Sequence, residues 1–246
     1  HNFGAGPCIL PQEVFAQAAA GVLNLNQSGL SILEISHRSA AFDEILLNTK
    51  SLVRELLNVP DDYQILFLQG GASMQFSMLP MNFLSENAKA SYLDTGVWSE
   101  KAIKEAQLFG GVEIVASSKD KNYSYIPTGF EIPTDSAYFH ITTNNTIYGT
   151  EMFEDLDSSV PIVADMSSDI FSRKIDVSKY ALIYAGMQKN IGPAGATLVI
   201  VKNDFLEKQV RKVASMLDYK VQVKNDSLYN TPPVFSIYVS MLNLEW

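Results

Sequence analysis

The chain alternates short β-rich runs with longer helical stretches, and this alternation constrains its fold more than any other feature. Helices are predicted at residues 11–24, 40–57, 73–84 and 98–109. Strands are predicted at residues 63–68, 90–93, 112–115, 137–141, 161–164, 180–184 and 196–201. Helices between successive strands are typical of a largely parallel sheet, and a sheet of this size needs helices on both of its faces. The sequence therefore predicts an α/β fold.

The composition limits the classes of function that this chain can have. Its 246 residues include 18 basic and 27 acidic side chains, a net charge of −9, and 47% are apolar. Such a chain can bury a substantial core, and its acidic balance argues against nucleic acid as a partner. No run approaches the ~20 apolar residues that span a bilayer, so no membrane segment is expected. The single cysteine, Cys8, excludes a multi-thiolate metal site and fits a reducing, cytoplasmic location.

Polar residues that follow the strands are the candidates for function, because open α/β sheets bind ligands beyond the carboxyl ends of their strands. The first such place is Gln69-Gly70-Gly71-Ala72-Ser73, where a strand turns through two glycines into a helix. Backbone amides at that helix start, with the Ser73 hydroxyl beside them, suit a phosphate dianion. Taken alone, Ser73 as an ordinary helix N-cap is the simpler interpretation.

Two charged residues follow later apolar strands. Asp165 ends the run 161–164, where an ionised carboxylate costs several kcal/mol unless it has a cationic or hydrogen-bonding partner. Lys189 comes shortly after the strand 180–184, and it would lie near Asp165 if the two strands are neighbours. A structural Asp–Lys ion pair would explain both residues without any chemistry, and Asp165 alone could cap a turn. These alternatives stay open at this point.

Together these features match what pyridoxal 5'-phosphate (PLP) requires of a protein. A lysine condenses with the cofactor aldehyde, and a carboxylate keeps the pyridine nitrogen protonated so that the ring accepts electrons. A helix start holds the phosphate, and a flat side chain such as Trp98 can stack on the ring. Trp98 read alone is more often a core residue. The combination, rather than any single residue, predicts a PLP site.

Five separated motifs resemble those of the phosphoserine aminotransferases, a family of class V, fold type I PLP enzymes. They occupy residues 2–7, 34–38, 69–76, 184–195 and 229–233, in the same order as in the family. The resemblance implies a PLP-binding large domain at residues 16–246, after an N-terminal segment at residues 1–15. It also implies a mostly parallel seven-stranded sheet in which the strand 196–201 runs antiparallel. The smaller C-terminal domain of the family is expected to be absent from this sequence.

The resemblance also implies roles for single residues. Lys189 would bond to the cofactor, and Asp165 would pair with its ring nitrogen. The further cofactor contacts implied are Ala72, Ser73 and Gln188 at the phosphate, Trp98 on the ring face and Thr146 beside the phenolic oxygen. Asn230 and Thr231 would reach the phosphate of the neighbouring subunit in a homodimer, although Asn230-Thr231-Pro232-Pro233 is also typical of a helix cap. His37 and Arg38 would contact the substrate, since a guanidinium suits a carboxylate or phosphate.

The activity implied is amino-group transfer from L-glutamate to 3-phosphohydroxypyruvate, which gives O-phospho-L-serine and 2-oxoglutarate in serine biosynthesis. Some bacterial members also form 4-phosphohydroxy-L-threonine in pyridoxine biosynthesis. Two alternatives stay open. One is another class V enzyme, such as an alanine–glyoxylate aminotransferase or a cysteine desulfurase. The other is a catalytically weak fragment that binds PLP.

Overall fold

The computed structural model describes residues 2–246, which contain a seven-stranded sheet and a short hairpin. The strands are β1 (Tyr63–Leu68), β2 (Lys89–Asp94), β3 (Gly111–Ser117), β4 (Phe139–Thr142), β5 (Asn144–Asn145), β6 (Thr150–Glu151), β7 (Ile162–Asp165), β8 (Tyr180–Gly186) and β9 (Thr197–Lys202). The helices are α1 (Gln12–Asn24), α2 (Ala40–Leu57), α3 (Gly71–Phe83), α4 (Val97–Ala106), α5 (Asn203–Leu206), α6 (Tyr219–Lys224) and α7 (Val234–Glu245). Among the helices of this part of the chain, none combines the length and hydrophobicity that crossing a membrane requires.

The sheet has the strand order β1-β9-β8-β7-β4-β2-β3, and β5 pairs with β6 separately. Strands β8, β7, β4, β2 and β3 pair in parallel, whereas β9 runs antiparallel to both of its neighbours, β1 and β8. The predicted mostly parallel sheet with one antiparallel strand is therefore confirmed. Predicted strand and helix ends differ from the observed ones by at most three residues. Helices α5 and α6 follow the last strand and were not predicted, whereas α7 follows residues 230–233, whose sequence is typical of a helix cap.

Helices cover both faces of the sheet, as predicted. Alternate residues of the strands point to opposite faces, so that Ile183 and Ala185 of β8 join one apolar cluster while Leu182 and Tyr184 join the other. The first cluster packs against α1, α2 and α7, and the second packs against α3, α4, α5 and α6. Since the central strands are buried on both faces, they are apolar almost throughout. Their polar residues are concentrated at the carboxyl ends.

The N-terminal helix α1 belongs to the first of these clusters. Its buried Val14 and Ala18 pack in the same core as the strands, and α1 spans the predicted boundary between residues 15 and 16. In the chain before α1, the backbone amide of Cys8 donates a hydrogen bond to the carbonyl of Gln188 at 2.9 Å. The N-terminal segment therefore lies beside the residues that follow β8.

In helix α2, the spacing of the apolar residues determines which face of the helix packs against the core. The Ser39 side chain caps its first turn by accepting a hydrogen bond from the Phe42 amide, and the helix ends at Asn58, which has the left-handed φ of 49°. Its buried residues recur at helical spacing and are Phe42, Ile45, Leu46, Thr49, Val53 and Leu57. The adjacent Leu46 and Leu47 consequently differ sharply, with 2% and 59% of their surface exposed.

This orientation predicts unequal costs for the same substitution at two adjacent leucines. We expect Leu46→Ala to lower the free energy of unfolding by about 2–5 kcal/mol, because it leaves a cavity in the core. The matched control, Leu47→Ala, is expected to change it by about 0.5 kcal/mol or less. Urea denaturation followed by circular dichroism measures both variants. Equal losses from the two would contradict the orientation of α2.

Candidate active site

A cavity of about 160 Å³ lies at the carboxyl ends of β4, β7 and β8, beside the first turn of α3. Its lining residues are Gly71, Ala72, Ser73, Phe76, Trp98, Thr142, Asn144, Asp165, Ser167, Ser168, Gln188 and Lys189. Six of them were predicted as site residues, namely Ala72, Ser73, Trp98, Asp165, Gln188 and Lys189. The parallel strands bring these residues together because their carboxyl ends meet at the same edge of the sheet.

The first turn of α3 forms one wall of the cavity and offers free backbone amides. Gly70 precedes the helix with a left-handed φ of 88°, and a side chain there would collide with Met74. The first amide with an intrahelical acceptor is that of Met74, which donates to the Gly70 carbonyl at 3.2 Å. The amides of Ala72 and Ser73 lie ahead of it and can bind an anion. Ser73 is therefore inside the helix, and its interpretation as the N-cap is wrong.

Asp165 ends β7 and is buried, with its carboxylate held by the next turn of the chain. Its Oδ1 accepts two hydrogen bonds from Ser167, one from the backbone amide at 3.0 Å and one from the hydroxyl at 2.6 Å. Burial raises the pKa of Asp165 above its ordinary value, while the Ser167 hydrogen bonds and the positive charge of Lys189 oppose that rise. A cationic ligand in the cavity would act in the same direction as Lys189 and lower the pKa of Asp165.

The sheet beneath Asp165 contributes no charge. Tyr184 lies next to Asp165 in the register of β7 and β8, and its hydroxyl is 2.8 Å from Nε2 of His140 on β4. Both side chains are fully buried. Burial lowers the pKa of His140 to about 3, so that the imidazole is neutral at pH 7. The positive charge that acts on Asp165 within the described part of the chain is therefore that of Lys189.

Lys189 lies in the loop that joins β8 to β9, where close packing restricts it. A side chain on Gly186 would lie 2.8 Å from Oε1 of Gln188, so the glycine leaves room for Gln188 to fold back over the strand end. On the other side, a side chain on Gly6 would lie 3.2 Å from Cγ of Lys189. Lys189 also lines a larger open cavity of about 1150 Å³ next to the N-terminal segment. Lys189 thus lines both cavities.

The proximity of Asp165 and Lys189 is not that of a simple ion pair. None of the ion pairs within residues 2–246 joins the two side chains. The interpretation of these residues as a structural Asp–Lys ion pair is therefore wrong. Both residues instead line the same cavity, where a ligand with complementary groups can contact them.

Two polar atoms of the cavity wall lack hydrogen-bond partners. Nε1 of Trp98 and Oγ1 of Thr142 are both buried, and no residue among 2–246 hydrogen-bonds to either. Buried polar groups without partners are rare in folded proteins. The Lys101 ammonium lies 4.7 Å from the centre of the Trp98 ring, so one ring face carries a cation. The free amides suit an anionic group of a ligand, whereas the carboxylate oxygen without a partner suits a hydrogen-bond donor or a cationic group.

The other predicted site residues lie outside this cavity. Thr146 is exposed in the turn between β5 and β6. His37 and Arg38 precede α2, where Nε2 of His37 is buried without a partner among residues 2–246 and Arg38 is exposed. Asn230 and Thr231 lie beside the end of β1, where the Gln69 side chain donates to the Thr231 carbonyl at 2.9 Å. Since α7 begins at Val234 after Pro233, neither of them caps it with a side chain.

Six lining residues were not predicted as site residues by the sequence analysis. They are Gly71, Phe76, Thr142, Asn144, Ser167 and Ser168. Thr142 ends a buried parallel strand, so the rule that singled out Asp165 applies to it equally. It follows the predicted strand 137–141 just as Asp165 follows 161–164, but it was missed because it carries no charge that marks it as costly to bury. Ser167 and Ser168 follow Asp165 directly, but only the folded turn brings their side chains to the cavity.

The chain is similar to known proteins over its whole length. The profile of the family described as Aminotransferase class-V matches residues 1–246. The phosphoserine aminotransferase of Flavobacterium johnsoniae is 59% identical, and the alignment covers 100% of this chain and 69% of that enzyme. The crystal structure of the phosphoserine aminotransferase from Bacillus circulans subsp. alkalophilus is 45% identical with a TM-score of 0.96, covering 100% and 69% of the two chains.

A third relative adds a bound cofactor to the comparison. The PLP-bound phosphoserine aminotransferase from Trichomonas vaginalis is 40% identical with a TM-score of 0.94, over 100% of this chain and 70% of that one. Identity at this level across the complete chain, together with the shared fold, establishes the family. The chain therefore belongs to the class V aminotransferases, which are PLP-dependent enzymes, and among them to the phosphoserine aminotransferase family.

Proposed function

We propose that this chain transfers the amino group of L-glutamate through PLP to 3-phosphohydroxypyruvate, giving O-phospho-L-serine and 2-oxoglutarate. The observation that carries the proposal is the convergence of Asp165, Lys189 and the free amides of α3 on one cavity. Each group matches a different part of the cofactor. The names of relatives that are up to 59% identical support the choice of substrates.

The residues of the cavity fit the cofactor part by part. The amides of Ala72 and Ser73, at the positive end of α3, suit its phosphate. Gln188 lines the same cavity and can donate its amide hydrogens there. The indole of Trp98 offers a flat face for the pyridine ring. The unpaired hydroxyl of Thr142 supplies one more donor or acceptor that a polar ring substituent can satisfy.

Asp165 and Lys189 have the chemical roles in this site. When bound, PLP supplies an electron sink that stabilises negative charge at the substrate carbon. Asp165 would accept a hydrogen bond from the protonated ring nitrogen, because a buried carboxylate is stabilised by a cationic partner. The Nζ atom of Lys189 is the base that can remove the proton from the α-carbon of the amino acid. Lys189 lines both cavities, so the cofactor could occupy one and the substrate could enter from the other.

The proposal includes a homodimer in which each subunit completes the site of the other. Asn230 and Thr231 lie away from their own cavity, and Thr231 is exposed. Polar groups in such a position can reach the phosphate site of a neighbouring subunit. His37 and Arg38 would bind the acidic substrate near the same interface, with the guanidinium of Arg38 suited to a carboxylate or phosphate.

The setting of the reaction is part of the same proposal. The PLP-binding large domain would comprise residues 16–246, and the enzyme would act in the cytoplasm, where a single unpaired cysteine is stable. Serine biosynthesis is the pathway that the substrates imply. The related phosphorylated substrate of pyridoxine biosynthesis would bind in the same site through its carboxylate and phosphate.

The proposal predicts a covalent PLP adduct at one lysine. After incubation with PLP and reduction with borohydride, intact-mass and peptide analysis should find a pyridoxyl group on Lys189. We expect Lys189→Ala to lose the adduct and to lower the transamination rate by roughly 10²- to 10⁴-fold, because the base is removed. Lys212→Ala, at an exposed lysine, is the matched control and should keep both. An adduct spread over several lysines would argue against the assignment.

The proposal also predicts a preference for a phosphorylated acceptor. With glutamate as donor, kcat/KM for 3-phosphohydroxypyruvate should exceed that for pyruvate or glyoxylate by roughly 10²-fold or more, since a site built for a charged group rejects analogues that lack it. Stopped-flow measurement of the second half-reaction separates acceptor choice from reaction with glutamate. Preference for glyoxylate would favour an alanine–glyoxylate aminotransferase. Failure to react with glutamate at all would favour a PLP-binding fragment.

Shared sites predict complementation between two inactive variants. In a mixed dimer of Lys189→Ala and the double variant Asn230→Ala with Thr231→Ala, one site keeps its own lysine and intact residues from its partner. Random mixing makes about half of the dimers mixed, so about a quarter of wild-type activity should return. Activity and PLP content after unfolding and joint refolding measure the effect. A mixture no more active than the mean of its parents would contradict the shared site.

A further inference from the structure

The two carboxylate oxygens of Asp165 differ in their hydrogen bonding. Oδ1 accepts both the backbone amide and the hydroxyl of Ser167, at 3.0 and 2.6 Å. No hydrogen bond from residues 2–246 reaches Oδ2. With Oδ1 held by two donors, rotation of the carboxylate is restricted, and Oδ2 remains as the acceptor for a ligand. The arrangement thus separates a structural oxygen from a binding oxygen.

The hydroxyl of Ser167 also holds the neighbouring strand. It accepts a hydrogen bond from the backbone amide of Gly186 at 3.1 Å, while it donates its own hydrogen to Asp165. A serine hydroxyl has one donor and two acceptor positions, so both roles are compatible. Gly186 ends β8 and precedes the loop that carries Gln188 and Lys189. One side chain therefore connects the carboxylate on β7 with the chain that leads to the lysine.

A simple turn does not require this serine. The bond from the Ser167 amide to Oδ1 closes a local turn that any residue except proline can make. The hydroxyl bonds to Asp165 and Gly186 are specific to a short hydroxyl side chain. A neutral donor also stabilises the carboxylate without neutralising it, whereas a cationic partner would compete with a cationic ligand. The choice of a serine here preserves the negative charge for the ligand.

We propose that Ser167 is a positioning residue whose hydroxyl orients Asp165, so that Oδ2 faces the ring nitrogen of PLP, and links Asp165 to the strand leading to Lys189. This inference rests on the proposed function and deepens it. Ser167 touches the cavity but acts through Asp165. Loss of its hydroxyl leaves Oδ1 with the backbone donor alone and leaves the buried Gly186 amide without its acceptor.

The test compares variants of the whole chain in their binding of PLP itself. Ser167→Ala should weaken PLP binding about tenfold or more, as expected for loss of a hydrogen bond to a charged group. Ser167→Cys, which keeps the size and a weak donor, should fall between Ser167→Ala and wild type. The matched control is Ser172→Ala, because the Ser172 hydroxyl donates to the Asp169 carbonyl at 2.6 Å in the same segment. Equilibrium dialysis gives Kd, and the absorption spectrum of bound PLP reports the environment of its ring.

A double-mutant cycle separates positioning from a merely structural role. In an Asp165→Ala background, Ser167→Ala should change the Kd for PLP by about twofold or less, because the group through which it acts is gone. The absorption spectrum should shift in Ser167→Ala and stay as in wild type in Ser172→Ala. If Ser167→Ala fails to fold, as judged by circular dichroism, Ser167→Cys carries the same comparison.

Two results would overturn the inference, and they differ from failure of the proposed function. If Ser167→Ala weakened PLP binding equally in the wild-type and the Asp165→Ala backgrounds, Ser167 would have only a structural role. Wild-type affinity and spectrum in Ser167→Ala would remove any role for its hydroxyl. If wild type itself formed no adduct with PLP, the proposed function would fail and this inference with it.

Discussion

The buried carboxylate of Asp165 is the constraint on which the rest of the site depends. Removing an ionised carboxylate from water costs several kcal/mol unless donors or cations replace the lost hydration. Ser167 satisfies one oxygen, and the charge of Lys189 acts at longer range without forming an ion pair. The compensation within the protein is therefore incomplete. The planar cationic ring of the proposed cofactor would complete it by donating to the remaining oxygen, and this would explain why an expensive buried charge persists at this position.

The direction of β9 determines the position of Lys189, the second charged group of the site. Because β9 runs antiparallel to β8, a short loop joins them without a crossover helix. Two backbone bonds close this loop, from the Met187 amide to the Ala196 carbonyl at 3.1 Å and from the Gly192 amide to the Met187 carbonyl at 2.8 Å. Lys189 is thus held in a constrained loop at the same sheet edge as Asp165. A flexible crossover would have left its amine free to move away from the cavity.

Most of the fold could be predicted because buried parallel strands and amphipathic helices have strong, different periods. The strand ends were the weak point. The strand predicted at residues 137–141 is Phe139–Thr142, and its last residue, the uncharged Thr142, was not recognised as a cavity residue. The hydroxyl of Ser167 was missed because its bonds to Asp165 and Gly186 exist only after the turn and β8 have formed. Thr146, which the family motif singles out, lies exposed in the turn between β5 and β6, and its role beside the cofactor stays a prediction.

The sequence by itself determined the α/β class, because local periodicity suffices for it, and residue type singled out Asp165 and Lys189 as candidate chemical groups; the antiparallel last strand followed only from the resemblance to a family. Only the tertiary structure decided which residues share the cavity and which oxygen of Asp165 is free. Those outcomes depend on contacts between β4, β7 and β8, and on the approach of the N-terminal segment to Lys189. Such contacts join residues that are far apart in the chain, so they cannot be predicted from the local sequence pattern.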